Sequence, residues 1–570
     1  MKDTDNLYCR ILLDVLREHG VKDIVASPGT RNAPLLISCS YREEFKTQVI
    51  SDERNAAFVA LGLSVVSKRP VAILCTSGTA LYNYAPAVAE AYYQGVPLIV
   101  ITADRPSHWI DQNDSQTLIQ PGALEKIVKK SFDIPLLSQS KDMEWSINRL
   151  ANEAMLLASD GRPGPVHINI QFEAPLSRTL ERDDESPRIV RKINPVPYFS
   201  RHVLDQLTSR LEGKRILVVA GFMQPNADLN KYLGQFSTLP GVKLLCETIS
   251  NLHLPDNPYA VDTILAGLDD SEKRELAPDI VISIGGALIS GMLKDFLRTY
   301  SKEVWTLGDT YFGIDTFKSL SLNIEVAPAF FFKALFHTLS ARYKKSPELK
   351  ALPGSYIHKW NEARERQLSI RKKFVEECEW SELKIFSRIL PSIPSDFNLF
   401  LSNGTSVRYG QLFTENIPHA VYSNRGVSGI DGTTATAAGC SMAYKGRTLL
   451  ITGDMSFAYA PGVLGLEGLP ADFKIIVFNN KGGGIFRFIS PTRYIEHRDR
   501  YLCADPKVPV KGLAEAYGWE YILADSEESL DSSLDHFFSS DERIIMEVRA
   551  DEEYSASILR KYMRLNGLNE

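Results

Sequence analysis

The sequence has few cysteines and no cysteine motif. Seven occur among its 570 residues, at single scattered positions and without a CxxC pair. Zinc sites and disulfide frameworks need regularly spaced cysteines, so we expect reduced thiols and a cytoplasmic location. The ten histidines show no HExxH-type spacing, and no serine lies in a GxSxG turn. These absences exclude the usual zinc-hydrolase and serine-hydrolase patterns.

Long apolar runs and an excess of basic residues are also absent. No stretch approaches the length of a membrane span, and the formal net charge is −6. We therefore expect no membrane span and no nucleic-acid partner, since nucleic-acid binders usually carry a basic excess. The first twenty residues contain charges throughout and an apolar stripe of helical spacing, which predicts a folded amphipathic helix instead of a signal peptide.

What the chain does contain is a repeated alternation of buried strands and helical stretches. This pattern is typical of an α/β protein whose parallel sheets are covered on both faces. A chain of this length is expected to form about three domains. Changes in composition predict an α/β segment over residues 1–180, a second over 195–345, a charged helical connection over 346–385 and a third α/β segment over 386–570.

Two strands of the third segment end in polar residues that suit a metal and a diphosphate. RTLLITGD carries Asp454 out of one predicted strand, and FKIIVFNN carries Asn480 out of the next. In an open α/β sheet, ligands bind beyond the carboxyl ends of such strands. Carboxylate and amide oxygens suit Mg²⁺, and the N–H groups of the following Gly-Gly-Gly turn suit phosphate. The stretch from Gly453 to Phe486 therefore predicts a metal–diphosphate site.

Further motifs appear in order along the first and third segments. They read SPGTRNAPL, DERNAAFVALGLS, TSGTALYNYAPAVAEA, ITADRP, QTLIQPG, GPVHINI, SNRGVSGIDGTTATAAG and NNKGGGIF. Together with the GD…NN frame they resemble the 2-succinyl-5-enolpyruvyl-6-hydroxy-3-cyclohexene-1-carboxylate synthases, a thiamine-diphosphate-dependent family of menaquinone biosynthesis. The resemblance covers the middle segment only loosely.

The resemblance implies three doubly wound parallel-sheet domains of the thiamine-diphosphate-dependent decarboxylase type: pyrimidine-binding, central and diphosphate-binding. It also implies a homodimer or dimer of dimers (a homotetramer) whose active site is shared between two subunits. Asp454, Asn480 and the carbonyl of Gly482 would hold Mg²⁺ or Mn²⁺. The remaining cofactor-binding positions would be Glu53, Ser428, Ile430, Ile485 and Phe486.

Glu53 is the catalytic residue that the resemblance implies. Its carboxyl would hydrogen-bond the aminopyrimidine ring of the cofactor and assist proton removal, a general acid–base role. For that role we expect its side chain to be buried. Taken alone, Glu53 also fits a structural interpretation, because an acidic residue near a helix N-terminus is favourable to the helix dipole.

The implied substrates are 2-oxoglutarate and isochorismate. The first would be decarboxylated, and the resulting succinyl carbanion would add to the second. Arginine pairs bidentately with carboxylates, and several arginines fall on loops that follow predicted strands. The candidate substrate-binding residues are Thr30, Arg31, Arg105, Gln116, Arg408 and Arg425.

Two other functions fit part of the pattern. Another thiamine-dependent 2-oxo-acid enzyme, such as an acetolactate synthase or a simple decarboxylase, would share the GD…NN frame. The four arginines argue against a small substrate with a single carboxylate. A catalytically inactive thiamine-binding protein is the second alternative, and the presence of Glu53, Asp454 and Asn480 argues against it.

Overall fold

A computed structural model describes most of the chain. It covers residues 2–136, 140–182, 187–254, 259–308, 313–346, 354–413 and 418–565. The chain divides into two compact units. The first consists of Met1–Asn194, Asn424–Thr448 and Ser456–Phe473, and the second of Pro195–Ser423, Leu449–Met455 and Lys474–Glu570.

The N-terminal sheet of the first unit has six strands in the order β3-β2-β4-β5-β7-β6, and all their pairings are parallel. The strands are β2 (Asp23–Ala26), β3 (Lys46–Val49), β4 (Val71–Cys75), β5 (Leu98–Asp104), β6 (Ser131–Ile134) and β7 (Val166–Gln171). Strands β4, β5 and β7 are buried throughout, as expected for strands covered on both faces.

Helices and a small ribbon complete this region. The helices are α1 (Leu7–Glu18), α2 (Ala33–Ser40), α3 (Glu53–Ser67), α4 (Ala80–Gln94) and α5 (Lys141–Ser159). Strand β1 (Lys2–Thr4) pairs antiparallel with β8 (Thr179–Glu181). The predicted N-terminal amphipathic helix is α1, and its apolar face packs into the core of the first unit.

The central sheet lies in the second unit and has the parallel order β10-β9-β11-β12-β13. Its strands are β9 (Ile216–Ala220), β10 (Val242–Cys246), β11 (Ile280–Ile284), β12 (Val304–Leu307) and β13 (Leu320–Ile324). The helices of this region are α6 (Arg201–Leu211), α7 (Ala227–Ser237), α8 (Val261–Ala266), α9 (Asp270–Glu275), α10 (Gly291–Tyr300), α11 (Pro328–Lys345) and α12 (Gly354–Glu377).

The C-terminal sheet has the order β15-β14-β16-β17-β19-β18. Its strands are β14 (Asn398–Leu401), β15 (Ala420–Tyr422), β16 (Thr448–Gly453), β17 (Lys474–Phe478), β18 (Glu520–Ala524) and β19 (Ile544–Val548). The helices are α13 (Glu382–Ser392), α14 (Ser406–Tyr409), α15 (Thr433–Ala443), α16 (Asp454–Ala458), α17 (Ile485–Phe488), α18 (Ser490–Arg493), α19 (Val510–Ala516), α20 (Glu527–Ser539) and α21 (Glu552–Tyr562). Strands β16 and β17 are parallel neighbours.

Helices α3 and α15 approach each other closely within the first unit. A Cβ atom at Gly62 would lie 2.1 Å from the carbonyl oxygen of Thr436, and one at Gly439 would lie 2.0 Å from that of Val59. Only glycine fits at either position. These two glycines therefore allow the close contact between α3 and α15.

The α/β class with three parallel sheets is confirmed. The sequence pattern does not predict the edge strands β3, β6 and β13, because their partly exposed sequences lack the continuous apolar runs of the buried strands. The residue boundaries of the four predicted segments stay predictions. Among the described residues, no helix is both long and apolar enough to cross a membrane.

Candidate active site

Asp454 directly follows β16 and begins α16. Its Oδ1 accepts a hydrogen bond from the N–H of Met455 at 2.7 Å, and its Oδ2 accepts one from the N–H of Gly482 at 2.8 Å. The side chain is buried, and burial raises the pKa of this carboxyl to about 6 despite the two donors. Asp454 forms no ion pair with a described residue. A bound cation would supply the missing positive charge.

Asn480 follows β17, and a buried carboxylate holds its amide. The Nδ2 group donates to Oε1 of Glu382 at 2.7 Å, whereas Oδ1 accepts no hydrogen bond from the described residues. Burial raises the pKa of Glu382 to about 7; the Asn480 bond opposes this rise and the charge of Asp454 adds to it. Glu382 therefore fixes the amide with its oxygen free for a ligand.

The glycine turn beside these residues requires glycine at one position in particular. Gly482 has φ of +98°, and a Cβ atom there would lie 2.0 Å from the carbonyl oxygen of Cys503. The N–H of Gly483 donates to that same carbonyl at 2.8 Å. Ile485 and Phe486 begin α17 directly after the turn and are half-buried. The structure thus brings Asp454, Asn480 and Gly482 together, as the sequence predicts.

These three residues provide a donor set that fits a hard divalent cation. One carboxylate, one amide oxygen and one backbone carbonyl are the oxygen ligands that Mg²⁺ accepts beside water and phosphate. Among the described residues, no three His, Cys, Asp or Glu side chains come together as a metal-binding group. The oxygen-only set at the carboxyl ends of β16 and β17 is thus the candidate cation site.

Glu53 is the first residue of α3, directly after Asp52, whose side chain accepts from the N–H of Asn55 at 2.9 Å. The Glu53 carboxylate accepts from Nδ2 of Asn83, on α4, at 3.2 Å. The expected full burial of Glu53 is not found: the residue is half-buried. At the exposed start of its helix, the carboxylate has a single described hydrogen-bond partner.

The SNRGVSGIDG motif forms a constrained loop between β15 and α15. Ser428 has a φ of +63°. Residues other than glycine rarely adopt this backbone conformation, and those that do are concentrated at functional sites. The carbonyl of Ile430 accepts from the Ser456 hydroxyl at 2.6 Å. Arg425 and Ile430 are half-buried, and Ser428 is exposed. The loop therefore holds three predicted site residues in a defined backbone path.

Arg31 and Arg105 follow β2 and β5, two strands of the N-terminal sheet. The guanidinium of Arg31 donates to the carbonyl of Phe172 at 2.9 Å, and Arg105 pairs with Asp114 at 2.8 Å. Burial lowers the pKa of Arg31, and the neighbouring charge of Arg105 lowers it further. The two guanidinium groups therefore lie near each other at the carboxyl end of the sheet, and the carboxylates of Asp114 and Asp104 partly offset the lowering of the Arg31 pKa.

The close approach of two motif loops positions Arg31. A Cβ atom at Gly29 would lie 2.3 Å from that of Thr76, so the SPGTR loop lies directly against the TSGT loop. The N–H of Arg31 donates to the Thr76 hydroxyl at 3.3 Å. Thr30, between Gly29 and Arg31, is exposed.

The QTLIQPG motif contains one exposed and one buried glutamine. Gln116 is exposed and has φ of +53°. Gln120 is buried: its Oε1 accepts from the N–H of Gly78 at 2.9 Å, and its Nε2 donates to Oδ1 of Asn169 at 2.9 Å. Gln120 thus ties the TSGT loop to the sheet, a role that its position in the sequence did not reveal.

Behind these loops, a buried polar network runs across β5, β6 and β7. Asn169 accepts from Thr102 at 2.8 Å, and its Nδ2 donates to Asp104 at 2.9 Å and to Asp133 at 2.8 Å. Burial raises the pKa of Asp104 to about 6. Burial also lowers the pKa of His167, which contacts the Thr102 hydroxyl, to about 4.

Arg408 belongs to the second unit, in the short helix α14 after β14. Its guanidinium donates to the carbonyl of Gly404, one turn earlier. Its charge also acts on Asp262, a buried carboxyl whose pKa burial raises and Arg408 lowers. Arg408 therefore lies after a strand of the C-terminal sheet, as predicted.

Comparisons with known proteins agree with this geometry. Residues 8–124 match the family described as thiamine pyrophosphate enzyme, N-terminal TPP binding domain, and residues 403–548 match the corresponding C-terminal TPP binding domain. Three relatives are named 2-succinyl-5-enolpyruvyl-6-hydroxy-3-cyclohexene-1-carboxylate synthase. The protein from Porphyromonas gingivalis is 39% identical, with 98% of this chain and 97% of the relative covered.

The other two are proteins from Flavobacterium johnsoniae and Cytophaga hutchinsonii. The first is 34% identical, with 97% of this chain and 98% of the relative covered. The second is 33% identical, with 97% of each chain covered. Identity at this level over nearly the whole length shows the family. The chain belongs to the thiamine-diphosphate-dependent 2-succinyl-5-enolpyruvyl-6-hydroxy-3-cyclohexene-1-carboxylate synthases.

Proposed function

We propose that this chain is a transferase of menaquinone biosynthesis that acts on 2-oxoglutarate and isochorismate. It releases CO₂ from 2-oxoglutarate and joins the remaining succinyl unit to isochorismate, giving 2-succinyl-5-enolpyruvyl-6-hydroxy-3-cyclohexene-1-carboxylate. The observation that carries this proposal is the near-full-length similarity to synthases of that name. The buried oxygen donors after β16 and β17 support it independently.

Asp454, Asn480 and the carbonyl of Gly482 would hold Mg²⁺ or Mn²⁺, and the cation would bind the diphosphate of the cofactor. When bound, thiamine diphosphate supplies the carbon nucleophile and the electron sink of the reaction. The buried carboxylate of Asp454, which forms no ion pair with a described residue, and the fixed amide of Asn480 support this assignment. Ser428, Ile430, Ile485 and Phe486 would complete the cofactor contacts.

Glu53 would exchange a proton with the aminopyrimidine ring of the cofactor. Its half-buried carboxylate, held by Asn83, can accept such a contact. The incomplete burial supports an active site shared between two subunits, because a second subunit would cover Glu53 and remove water from it. We therefore propose a homodimer or a dimer of dimers.

All seven cysteines are unpaired, which supports a reducing, cytoplasmic location.

Arg31 and Arg105 would bind substrate carboxylates. Burial and the nearby charge of Arg105 lower the pKa of Arg31, and bidentate pairing with a guanidinium group would orient a substrate carboxylate. Thr30, Gln116, Arg408 and Arg425 are the further substrate contacts that we propose. Both substrates are anionic, so several guanidinium groups suit them better than they suit a small 2-oxo acid.

The proposal is tested by supplying the purified protein with thiamine diphosphate, Mg²⁺, 2-oxoglutarate and isochorismate. We expect CO₂ release and an adduct of the predicted mass. The matched control is Glu53→Gln, which should bind the cofactor but lose turnover by about 100-fold or more. A preference for pyruvate over 2-oxoglutarate would overturn the substrate assignment. Full turnover by Glu53→Gln would overturn the acid–base role.

A further inference from the structure

Glu90 is a buried carboxylate that the proposed mechanism does not use. It lies on α4, only 1% of its surface is exposed, and it forms no ion pair with a described residue. Burying an ionised carboxylate is costly unless strong hydrogen bonds replace its hydration. Its partners therefore indicate why the chain has a carboxylate here.

Those partners are two consecutive backbone N–H groups of the SNRGVSG loop. Oε1 of Glu90 accepts from Gly426 at 2.6 Å, and Oε2 accepts from Val427 at 2.7 Å. Nε2 of Gln94, one turn further along α4, also donates to Oε1, at 2.5 Å. We call the two bonds to the loop backbone the Glu90 clamp. Hydrogen bonds to an ionised acceptor are about twice as strong as neutral ones.

The loop lies so close to α4 that no side chain fits at the clamped position. A Cβ atom at Gly426 would lie 2.4 Å from the carbonyl oxygen of Glu90 and 3.1 Å from the backbone nitrogen of Gln94. The close backbone contact with α4 and the Glu90 clamp together fix the position of Gly426. The flanking residues are Arg425, proposed to bind substrate, and Ser428, proposed to bind cofactor in its uncommon backbone conformation.

A second contact fixes the far side of the same loop. The Ser456 hydroxyl donates to the carbonyl of Ile430 at 2.6 Å, so the loop is held on both sides of Ser428. The Ser456 bond is neutral and single, whereas the clamp uses both oxygens of one carboxylate. A glutamine at position 90 would have one acceptor oxygen, and its NH₂ would face the other loop N–H.

We propose that Glu90 is a positioning residue that fixes the loop from Arg425 to Ile430 for binding of the cofactor and the substrate. This inference rests on the proposed function, because that function makes the loop part of the active site. Glu90 does not touch the reacting atoms. It acts through the backbone that presents Arg425, Ser428 and Ile430.

Glu247 provides a matched control. It is also a buried carboxylate that accepts from two consecutive backbone N–H groups, those of Ile289 at 2.8 Å and Ser290 at 2.7 Å. It holds a loop of the central sheet that carries none of the proposed cofactor-binding residues. Glu247→Gln therefore repeats the chemical change of Glu90→Gln at another loop.

The test measures thiamine diphosphate binding by calorimetry with Mg²⁺ present, together with hydrogen exchange of the loop amides. For Glu90→Gln we expect about tenfold weaker cofactor binding and faster exchange over residues 425–430. Glu247→Gln should keep the wild-type cofactor affinity. In the substrate assay, Glu90→Gln should raise the KM for 2-oxoglutarate more than it lowers kcat.

Wild-type cofactor affinity in a folded Glu90→Gln variant would overturn the proposal, as would an equal loss in Glu247→Gln. If Glu90→Gln does not fold, the Glu90→Asp variant tests the proposal. This variant keeps a carboxylate, but its side chain is one methylene group shorter and places the carboxylate further from the loop. Weaker cofactor binding by Glu90→Asp supports the proposal, and wild-type binding overturns it. Calorimetry requires no substrate, so a failure of the substrate assignment would be seen separately.

Discussion

The carboxyl ends of the N-terminal and C-terminal sheets contain similar buried polar groups. The two ends differ in how many of the possible hydrogen bonds these groups make within the protein. At the first, the amide of Asn169 accepts from Thr102 and Gln120 and donates to Asp104 and Asp133. Its hydrogen-bonding capacity is thus used within the protein. At the second, the amide of Asn480 donates to Glu382, and its oxygen accepts nothing from the described residues.

This difference separates a structural network from the proposed cation site. Both ends have an aspartate directly at the end of a buried strand, and burial raises the pKa of each to about 6. Asp104 belongs to a closed network that supports the loops of Arg105 and the TSGT motif. Asp454 lies beside an amide oxygen that still has capacity for a cation. Both ends contain an aspartate and an asparagine. The number of hydrogen bonds that these side chains make within the protein, more than the residue types, therefore distinguishes the network from the proposed cation site.

The strongest test of this comparison is to remove the carboxylate charge at each end. Asp454→Asn should weaken Mg²⁺-dependent thiamine diphosphate binding by at least about 100-fold, because it removes the only proposed charged ligand. Asp104→Asn should leave that affinity within about threefold of the wild type, because the carboxylate of Asp104 is used by Asn169 and the N–H of Arg105 in the N-terminal sheet. Calorimetric titration of both variants measures the difference. Equal losses would show that the two ends are not distinct in function.

A smaller effect is expected when the orientation of the Asn480 amide is disturbed. Glu382→Leu removes the acceptor for Nδ2, so the amide can rotate and present its NH₂ group to the cation. We expect Mg²⁺ and cofactor affinity to fall by about 10- to 100-fold.

The matched control for this change is Glu382→Gln, which keeps an acceptor oxygen at the same distance along the side chain. It should bind the cation and the cofactor nearly as well as the wild type. Mn²⁺ binding followed by electron paramagnetic resonance reports on the cation directly, without turnover. Unchanged Mn²⁺ affinity in Glu382→Leu would remove Glu382 from the proposed site.

The sequence predicted those parts of the fold and site that depend on local pattern. Buried strands such as β4 and β16 are apolar runs, and a polar motif follows each. Asp454 and Asn480 could be identified because each directly ends such a run. The edge strand β3, with sequence KTQV, could not be identified from the sequence, because an exposed edge strand does not require apolar residues.

Glu382, Glu90 and Gln120 could not be assigned roles from the sequence, because distant parts of the chain create those roles. Glu382 lies 98 positions before Asn480, and Glu90 lies 336 positions before Gly426. An acidic residue in the first turn of a helix, such as Glu382, is ordinary in any sequence. Gln120 shares a motif with Gln116, and only the fold shows which of the two is buried.

The smallest expected effect concerns pH and the closed network of the N-terminal sheet. Burial raises the pKa of Asp104 to about 6, above its unfolded value of about 3.9. The folded state therefore holds this proton more tightly. The resulting stability is fully present below about pH 4 and is lost as the pH rises through 6. The loss is at most about 3 kcal/mol in the free energy of unfolding.

Comparing the wild type with Asp104→Asn isolates this group, because the two proteins share every other titrating side chain. The difference in apparent melting temperature, wild type minus variant, should fall between pH 4 and pH 7 and stay constant above that range. The measurement is made on cofactor-free protein, so that binding at Asp454 does not contribute. A difference independent of pH would mean that Asp104 stays ionised within the network. Its hydrogen bonds to Asn169 and to the N–H of Arg105 would then outweigh the cost of its burial.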